Sequence, residues 1–147
     1  MNPSQKNVES IKKPKPEFLI LGGGIIGFAV AKELRKTEKE ITIIDIDKVR
    51  VETLRQEGFN ALIGDISDPA LYNTIDMRNL ICVAALSSND DANTKAVANF
   101  KAVVSDNVKI ISRASDSLKK EEMAGAGSGS VFVPPQIVSK TIADYLD

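Results

Sequence analysis

The chain has 147 residues, 43% of them hydrophobic and 27% charged, which fits one folded domain of ordinary size and excludes a wholly disordered chain. Its 19 basic and 20 acidic residues leave a net charge of −1, so charge gives no reason to expect nucleic acid or an anionic membrane as partner. With no histidine and a single cysteine, Cys82, the commonest general acid–base, the commonest metal ligand, an intrachain disulfide and a cysteine-built zinc site are all excluded.

Residues 1–17 read as a flexible tail. They hold Pro3, Pro14, Pro16 and four lysines, and lack the apolar core of a signal peptide. No apolar run approaches the roughly 20 residues of a membrane span. A cytoplasmic protein is expected, with the folded domain over 18–147. Phe18–Leu21 is a short apolar run that stops at glycines, as a buried parallel strand does. A helix is predicted over 25–37, with Ile26, Val30 and Leu34 on one face. A second strand follows over 40–44, a helix over 48–57 closed by Gly58, and a third strand over 60–63. Asp68-Pro69 opens a short helix. The fourth strand spans 80–85, and the next helix 91–104 with Ala92, Ala96, Phe100 and Val103 on its inner face. The fifth strand spans 109–112, a short helix 118–124, the sixth strand 131–133 and a last helix 135–146. Strands that alternate with helical crossovers define an α/β fold: a Rossmann-like, doubly wound parallel sheet of six strands in the order 3-2-1-4-5-6. Its ligand crevice falls between strands one and four.

The central motif is Gly22-Gly-Gly24-Ile25-Ile26-Gly27, a G-x-G-x-x-G that ends a strand and opens a helix, with Asp45 lying 21 residues past Gly24. In this pattern Gly22 permits the tight turn, Gly24 lets a pyrophosphate approach the backbone, and Gly27 lets helix and strand pack closely. The helix N-terminus receives the phosphates. Asp45, followed by Ile46, would accept hydrogen bonds from a ribose diol and repel a 2′-phosphate, favouring NAD over NADP. Asp65 and the Ile66 backbone lie in the loop after the third strand, where they either touch the base or order the turn. Asp68 reads as a helix cap. Ala84-Ala85-Leu86-Ser-Ser88 ends the fourth strand at the switch point, where small side chains either leave room for a nucleotide or fit a crowded strand-to-helix corner. Asn89-Asp-Asp91 reads as the cap and acidic first turn of the next helix. Arg113, after the fifth strand, reaches either the phosphates or an acidic partner chain, or is a surface arginine. Cys82 reads as an inert core residue. No catalytic or metal-binding set emerges.

Together with Gly64-Asp-Ile-Ser-Asp-Pro69, Ser88-Asn-Asp-Asp-Ala-Asn93 and Ile111-Ser-Arg-Ala114, these residues resemble the N-terminal lobe of the regulator-of-potassium-conductance family, also called the RCK, KTN or TrkA-N domain. The Gly-Asp-x-x-Asp-Pro element is the most discriminating, and the resemblance runs from Phe18 to about Tyr145. It implies a sensor that binds NAD(H), ATP, ADP or AMP on the cytoplasmic side of a membrane potassium channel or transporter. By this resemblance Gly22, Gly24, Gly27, Asp45 and Asp65 line the nucleotide site, with Arg113 near it. The family pairs its lobes and builds rings, so ligand binding moves a gate.

Two departures stand out. Many relatives carry an arginine inside the glycine loop, where this chain has Ile25-Ile26. Many carry an acidic Glu-x-x-Gly-Ala-Asp pattern before the last strand, where this chain has Ala124-Gly-Ala-Gly127-Ser-Gly129. Weak phosphate affinity and no cation sensing by that route are expected. The family's separate C-terminal lobe does not follow in this sequence, so the chain is expected to be either a fragment of a larger protein or a lone subunit. Ile137, Val138, Ile142, Tyr145 and Leu146 give the last helix a broad apolar face. Part of it is expected to cover the sheet edge, and the remainder to pack on a second copy, as a homodimer or larger ring, with a downstream domain as the alternative. The runner-up function keeps the sensor and changes its output to a fused or partner enzyme, such as a DHH-type phosphoesterase. A dehydrogenase half is disfavoured by the lack of histidine and of a Tyr-x-x-x-Lys pair.

Overall fold

A computed structural model describes residues 13–147. Most of the expected tail lies outside the described residues. The part within them runs against the domain: Pro16 is buried, the Asp76 N–H donates to the Pro14 carbonyl at 2.8 Å, and the Ile81 N–H to the Glu17 carbonyl at 2.8 Å.

In chain order the elements are β1 (Phe18–Leu21), α1 (Ile25–Arg35), β2 (Ile41–Asp45), α2 (Lys48–Gln56), β3 (Asn60–Ile63), a 3-10 turn (Pro69–Thr74), β4 (Cys82–Ala85), α3 (Asp90–Lys101), β5 (Lys109–Arg113), α4 (Ser117–Ala126), β6 (Ser130–Phe132) and α5 (Pro134–Leu146). The six strands form one sheet in the order β3-β2-β1-β4-β5-β6, every described pairing parallel, as the sequence predicts. Leu21 lies level with Ile44 of β2 and Ala85 of β4. The three central strands therefore end together, and the crevice opens above them where the strand order reverses.

Alternation along the strands divides the core in two. Leu19, Leu21, Val83 and Ala85 face one side and pack with Val97 and Phe100 of α3 and Leu71 of the 3-10 turn. Ile20, Ile41, Ile43 and Ala84 face the other side and pack with Ala31 of α1 and Val51 and Leu54 of α2. Burial on both faces is why β1 and β2 read as continuous apolar runs.

Two expectations need correction. On α3 the buried residues are Asn93, Ala96, Val97 and Phe100, whereas Val103 lies beyond the helix and is 47% exposed. On α1, Ile26, Val30 and Leu34 pack against the second core as expected, half-buried beside the fully buried Gly27 and Ala31. The last helix, α5, buries no residue at all, so it does not cover the sheet edge.

Candidate functional site

The crevice is a cleft of about 610 Å³ whose walls come from the ends of five strands. Its floor is the glycine loop. Gly22 has φ +103°, and a Cβ there would stand 2.7 Å from the Ser87 nitrogen, so only glycine fits against the β4 loop. Gly24 is the N-cap of α1 in an extended conformation, with no side-chain cap. By contrast α2, α3 and α4 are capped by Asp47, Asn89 and Asp116. The first N–H groups of α1 thus lack helical acceptors at the edge of the cleft, and no acidic residue occupies its first turn. Around Gly24 the space is open: a Cβ would meet only the Arg50 guanidinium carbon, at 4.0 Å.

Asp45 ends β2 and is 5% exposed. Its Oδ2 accepts from the Gly23 N–H at 2.7 Å, and its Oδ1 from the Asp47 N–H at 2.9 Å. Arg50, from the first turn of α2, donates Nη1 to both oxygens at 3.2 and 3.4 Å. The aspartate therefore fixes the glycine loop as well as facing the ligand space.

Across the cleft, Asp65 accepts from the Ser67 hydroxyl at 2.7 Å and the Ser67 N–H at 2.9 Å. These bonds, the hydroxyl first, hold its carboxyl below the usual carboxylate range. Asp65 thus orders its turn while it lines the cleft. Asp68 caps the 3-10 turn through the Ala70 N–H at 2.9 Å, as expected.

The far wall is tied by Asn93, which is fully buried. Its Oδ1 accepts from the Ser87 hydroxyl and N–H at 2.7 and 3.1 Å, and its Nδ2 donates to the carbonyls of Ser87 and Arg113 at 2.8 and 3.0 Å. One side chain thereby joins the loop after β4 to the end of β5.

Of the sequence-predicted residues, Gly22, Gly24, Ile25, Ile26, Asp45, Ile46, Asp65, Ile66, Leu86 and Arg113 line the cleft. Gly27 and Ala85 do not. Gly27 is buried under the loop against the Gly22 carbonyl, and Ala85 is 1% exposed inside the sheet. Sequence reasoning gave no place in the cleft to Arg50, Gly64, Ser67 and Ala92, and read Asn89 only as a helix cap, though all five line it; it also missed Asn93 behind them. Arg50 had a usable signal: five residues past Asp45, it falls on the first turn of a helix that starts just after the strand. Among the described residues, no cluster of three or more acidic or cysteine side chains is placed to hold a metal ion, and no helix is long and apolar enough to cross a membrane.

A six-stranded parallel sheet with a glycine loop at its switch point defines a Rossmann-type domain. Compared with known proteins, residues 18–134 match the TrkA-N domain, and the chain belongs to that family. Ktr system potassium uptake protein C of Bacillus subtilis is 23% identical over 143 residues, covering 90% of this chain and 64% of that protein. A Trk system potassium uptake protein TrkA homolog of Pyrococcus horikoshii is 30% identical over 105 residues, covering 71% of this chain and 46% of that one. The chain thus spans less than two thirds of either relative. A shorter match, 30% over 78 residues and 53% of this chain, links it to mitochondrial L-2-hydroxyglutarate dehydrogenase of Caenorhabditis elegans, of which it covers 18%.

Among solved structures, the NAD(P)-binding domain of an exopolyphosphatase-related protein from Archaeoglobus fulgidus superposes with a TM-score of 0.80 at 29% identity, covering 89% of this chain and 97% of that one. The GsuK channel bound to NAD gives 0.71 at 17% identity, covering 88% of this chain and 24% of that one. The Kef CTD of Shewanella denitrificans in its AMP-bound form gives 0.66 at 17% identity, covering 79% and 69%. These last two likenesses concern the fold.

Proposed function

We propose that this domain is a regulatory sensor that binds NAD(H) or an adenine nucleotide (ATP, ADP or AMP) in the cleft and passes its occupancy to a potassium channel or transporter. The observation that carries the reading is the uncapped N-terminus of α1 behind an open Gly24, facing a cleft of about 610 Å³. Unsatisfied N–H groups at a helix N-terminus, approached without a side chain in the way, form a phosphate cradle. The cleft is long enough to offer Asp45 and the 65–67 turn to a nucleoside. Potassium uptake names among the relatives, and NAD and AMP in the titles of solved neighbours, support the reading. In this reading the cleft binds its ligand, with Asp45 and Asp65 as acceptors already positioned by neighbouring donors.

In this reading residues 18–147 form the sensor, which works in the cytoplasm and reaches the membrane through its partner. Copies assemble as a homodimer or larger ring through the exposed face of α5, with Ile137, Val138, Ile142, Tyr145 and Leu146 in the interface. A second reading, a sensor governing an enzyme, is favoured by one observation: the exopolyphosphatase-related neighbour combines the higher identity with a TM-score of 0.80.

Thermal shift with NAD, NADH, ATP, ADP and AMP tests the proposal. A ligand at 100 times its Kd adds about 2.7 kcal/mol to the folded state, several degrees for a domain of this size. A flat melting temperature with every one of them at millimolar concentration overturns it.

A further inference from the structure

An acid at the end of the second strand of a dinucleotide fold ordinarily repels a 2′-phosphate. Here that acid does not stand alone. The Arg50 Nη1 lies 3.2 Å from one Asp45 oxygen and 3.4 Å from the other, so the ribose end of the cleft carries a charge pair rather than an unopposed carboxylate. Asp45 is held from behind by two backbone donors, Gly23 and Asp47, and is nearly buried. Arg50 is the accessible member: its side chain is 46% exposed and lines the cleft. Its guanidinium carbon sits 4.0 Å from where a Cβ on Gly24 would be, beside the open approach to the glycine loop.

A guanidinium has five N–H donors in a fixed fork. Only Nη1 is engaged; among the described residues, Nε and Nη2 have no hydrogen-bond partner. Asp45 therefore orients the fork while leaving one edge of it free. A free guanidinium edge matches two oxygens of a phosphate, which a lysine at the same place would not do.

We propose that Arg50 is the specificity-determining residue of the cleft and that it admits a 2′-phosphorylated ribose, so that NADP(H) binds alongside NAD(H). This rests on the nucleotide reading above. It replaces the discrimination expected from Asp45 alone, because the neighbouring arginine offsets the charge that would enforce it.

Calorimetric titration of NAD and NADP into the full chain, as wild type, Arg50→Gln and Arg50→Lys, tests the proposal. The wild type is expected to bind NADP within about tenfold of NAD. Arg50→Gln is expected to raise the ratio of the NADP Kd to the NAD Kd by more than about tenfold. Arg50→Lys keeps a cation beside Asp45, so it controls for a disturbed loop; its ratio should fall between those of the wild type and Arg50→Gln. A wild-type preference for NAD beyond about tenfold, or an equal loss of both ligands in Arg50→Gln, overturns the assignment and leaves the nucleotide reading in place. Binding of neither ligand by the wild type also overturns the assignment, and the nucleotide reading then stands or falls on the ATP, ADP and AMP arms of the thermal shift.

Discussion

The carbonyl oxygen of Gly22 occupies the space that a side chain at Gly27 would need. The two glycines are the ends of the loop, and their contact lets α1 start directly over β1. Gly27→Ala forces either the loop or the helix to move, an overpacking cost of about 1–3 kcal/mol or more. Gly24→Ala has no such cost, because its Cβ meets nothing nearer than 4.0 Å and its φ of −73° suits any residue. Urea unfolding should therefore show a loss for Gly27→Ala and a midpoint near wild type for Gly24→Ala. In the same preparations Gly24→Ala should fail to give the nucleotide-dependent thermal shift, since its methyl group fills the phosphate approach.

Asn93 makes the second prediction. Its amide satisfies four polar groups belonging to Ser87 and Arg113, with no exposure to water. Truncation to alanine removes all four bonds from the half-buried Ser87 and Arg113, of which only the Ser87 hydroxyl keeps another partner, the Asn89 carbonyl, and should cost about 2 kcal/mol, measured as a lower urea midpoint at unchanged m-value. The loop after β4 also loses its tie to β5, so nucleotide binding should weaken more in this variant than in a surface control such as Lys101→Ala.

These residues also mark where the sequence stops being legible. The strands are readable because burial on both faces makes them apolar throughout, and the glycine spacing with Asp45 points to the cleft. Asn93 escapes a search for apolar periodicity because it is a polar residue on a buried face. Its partners are 6 and 20 residues away in sequence and come together only through the sheet. Arg50 escapes because a cation on a helix reads as a solvated surface group until the fold sets it against Asp45. The apolar face of α5 is plain in the sequence, but periodicity tells which face is apolar and not what covers it.

Acid should weaken the fold through two aspartates. Ser67 donates to Asp65, and Arg78 donates to Asp76 through its side chain at 2.7 and 3.0 Å and its N–H at 3.1 Å. Both carboxyls are held below their ordinary value of 3.8. A depressed folded value means the contribution is present above that ordinary value and is lost as pH falls through the folded one. Stability should be flat between about pH 5 and 8, where a chain without histidine has no side chain of that type to titrate, and should decline below about pH 4. Ser67→Ala removes the main cause at Asp65, so its acid decline should be shallower than that of the wild type. An identical decline in both would show that this turn does not contribute to the acid limb.

The exposed face of α5 gives the last prediction. Tyr145 is 88% exposed, Leu146 76%, Val138 55%, Ile142 54% and Ile137 49%, and no residue of the helix is buried in its own chain. Five large apolar groups recurring at helical spacing make a stripe suited to a matching stripe, and an isologous dimer pairs it with itself. Ile142→Asp places a charge in that stripe without touching the fold of the single copy. It should weaken association by about 3 kcal/mol, roughly a hundredfold in Kd. Light scattering across a concentration series should then move from a dimeric or larger mass in the wild type toward a monomeric one in the variant. Nucleotide binding to the single copy should persist, because no residue of α5 lines the cleft. A wild type that stays monomeric at high concentration would remove the case for assembly through this helix.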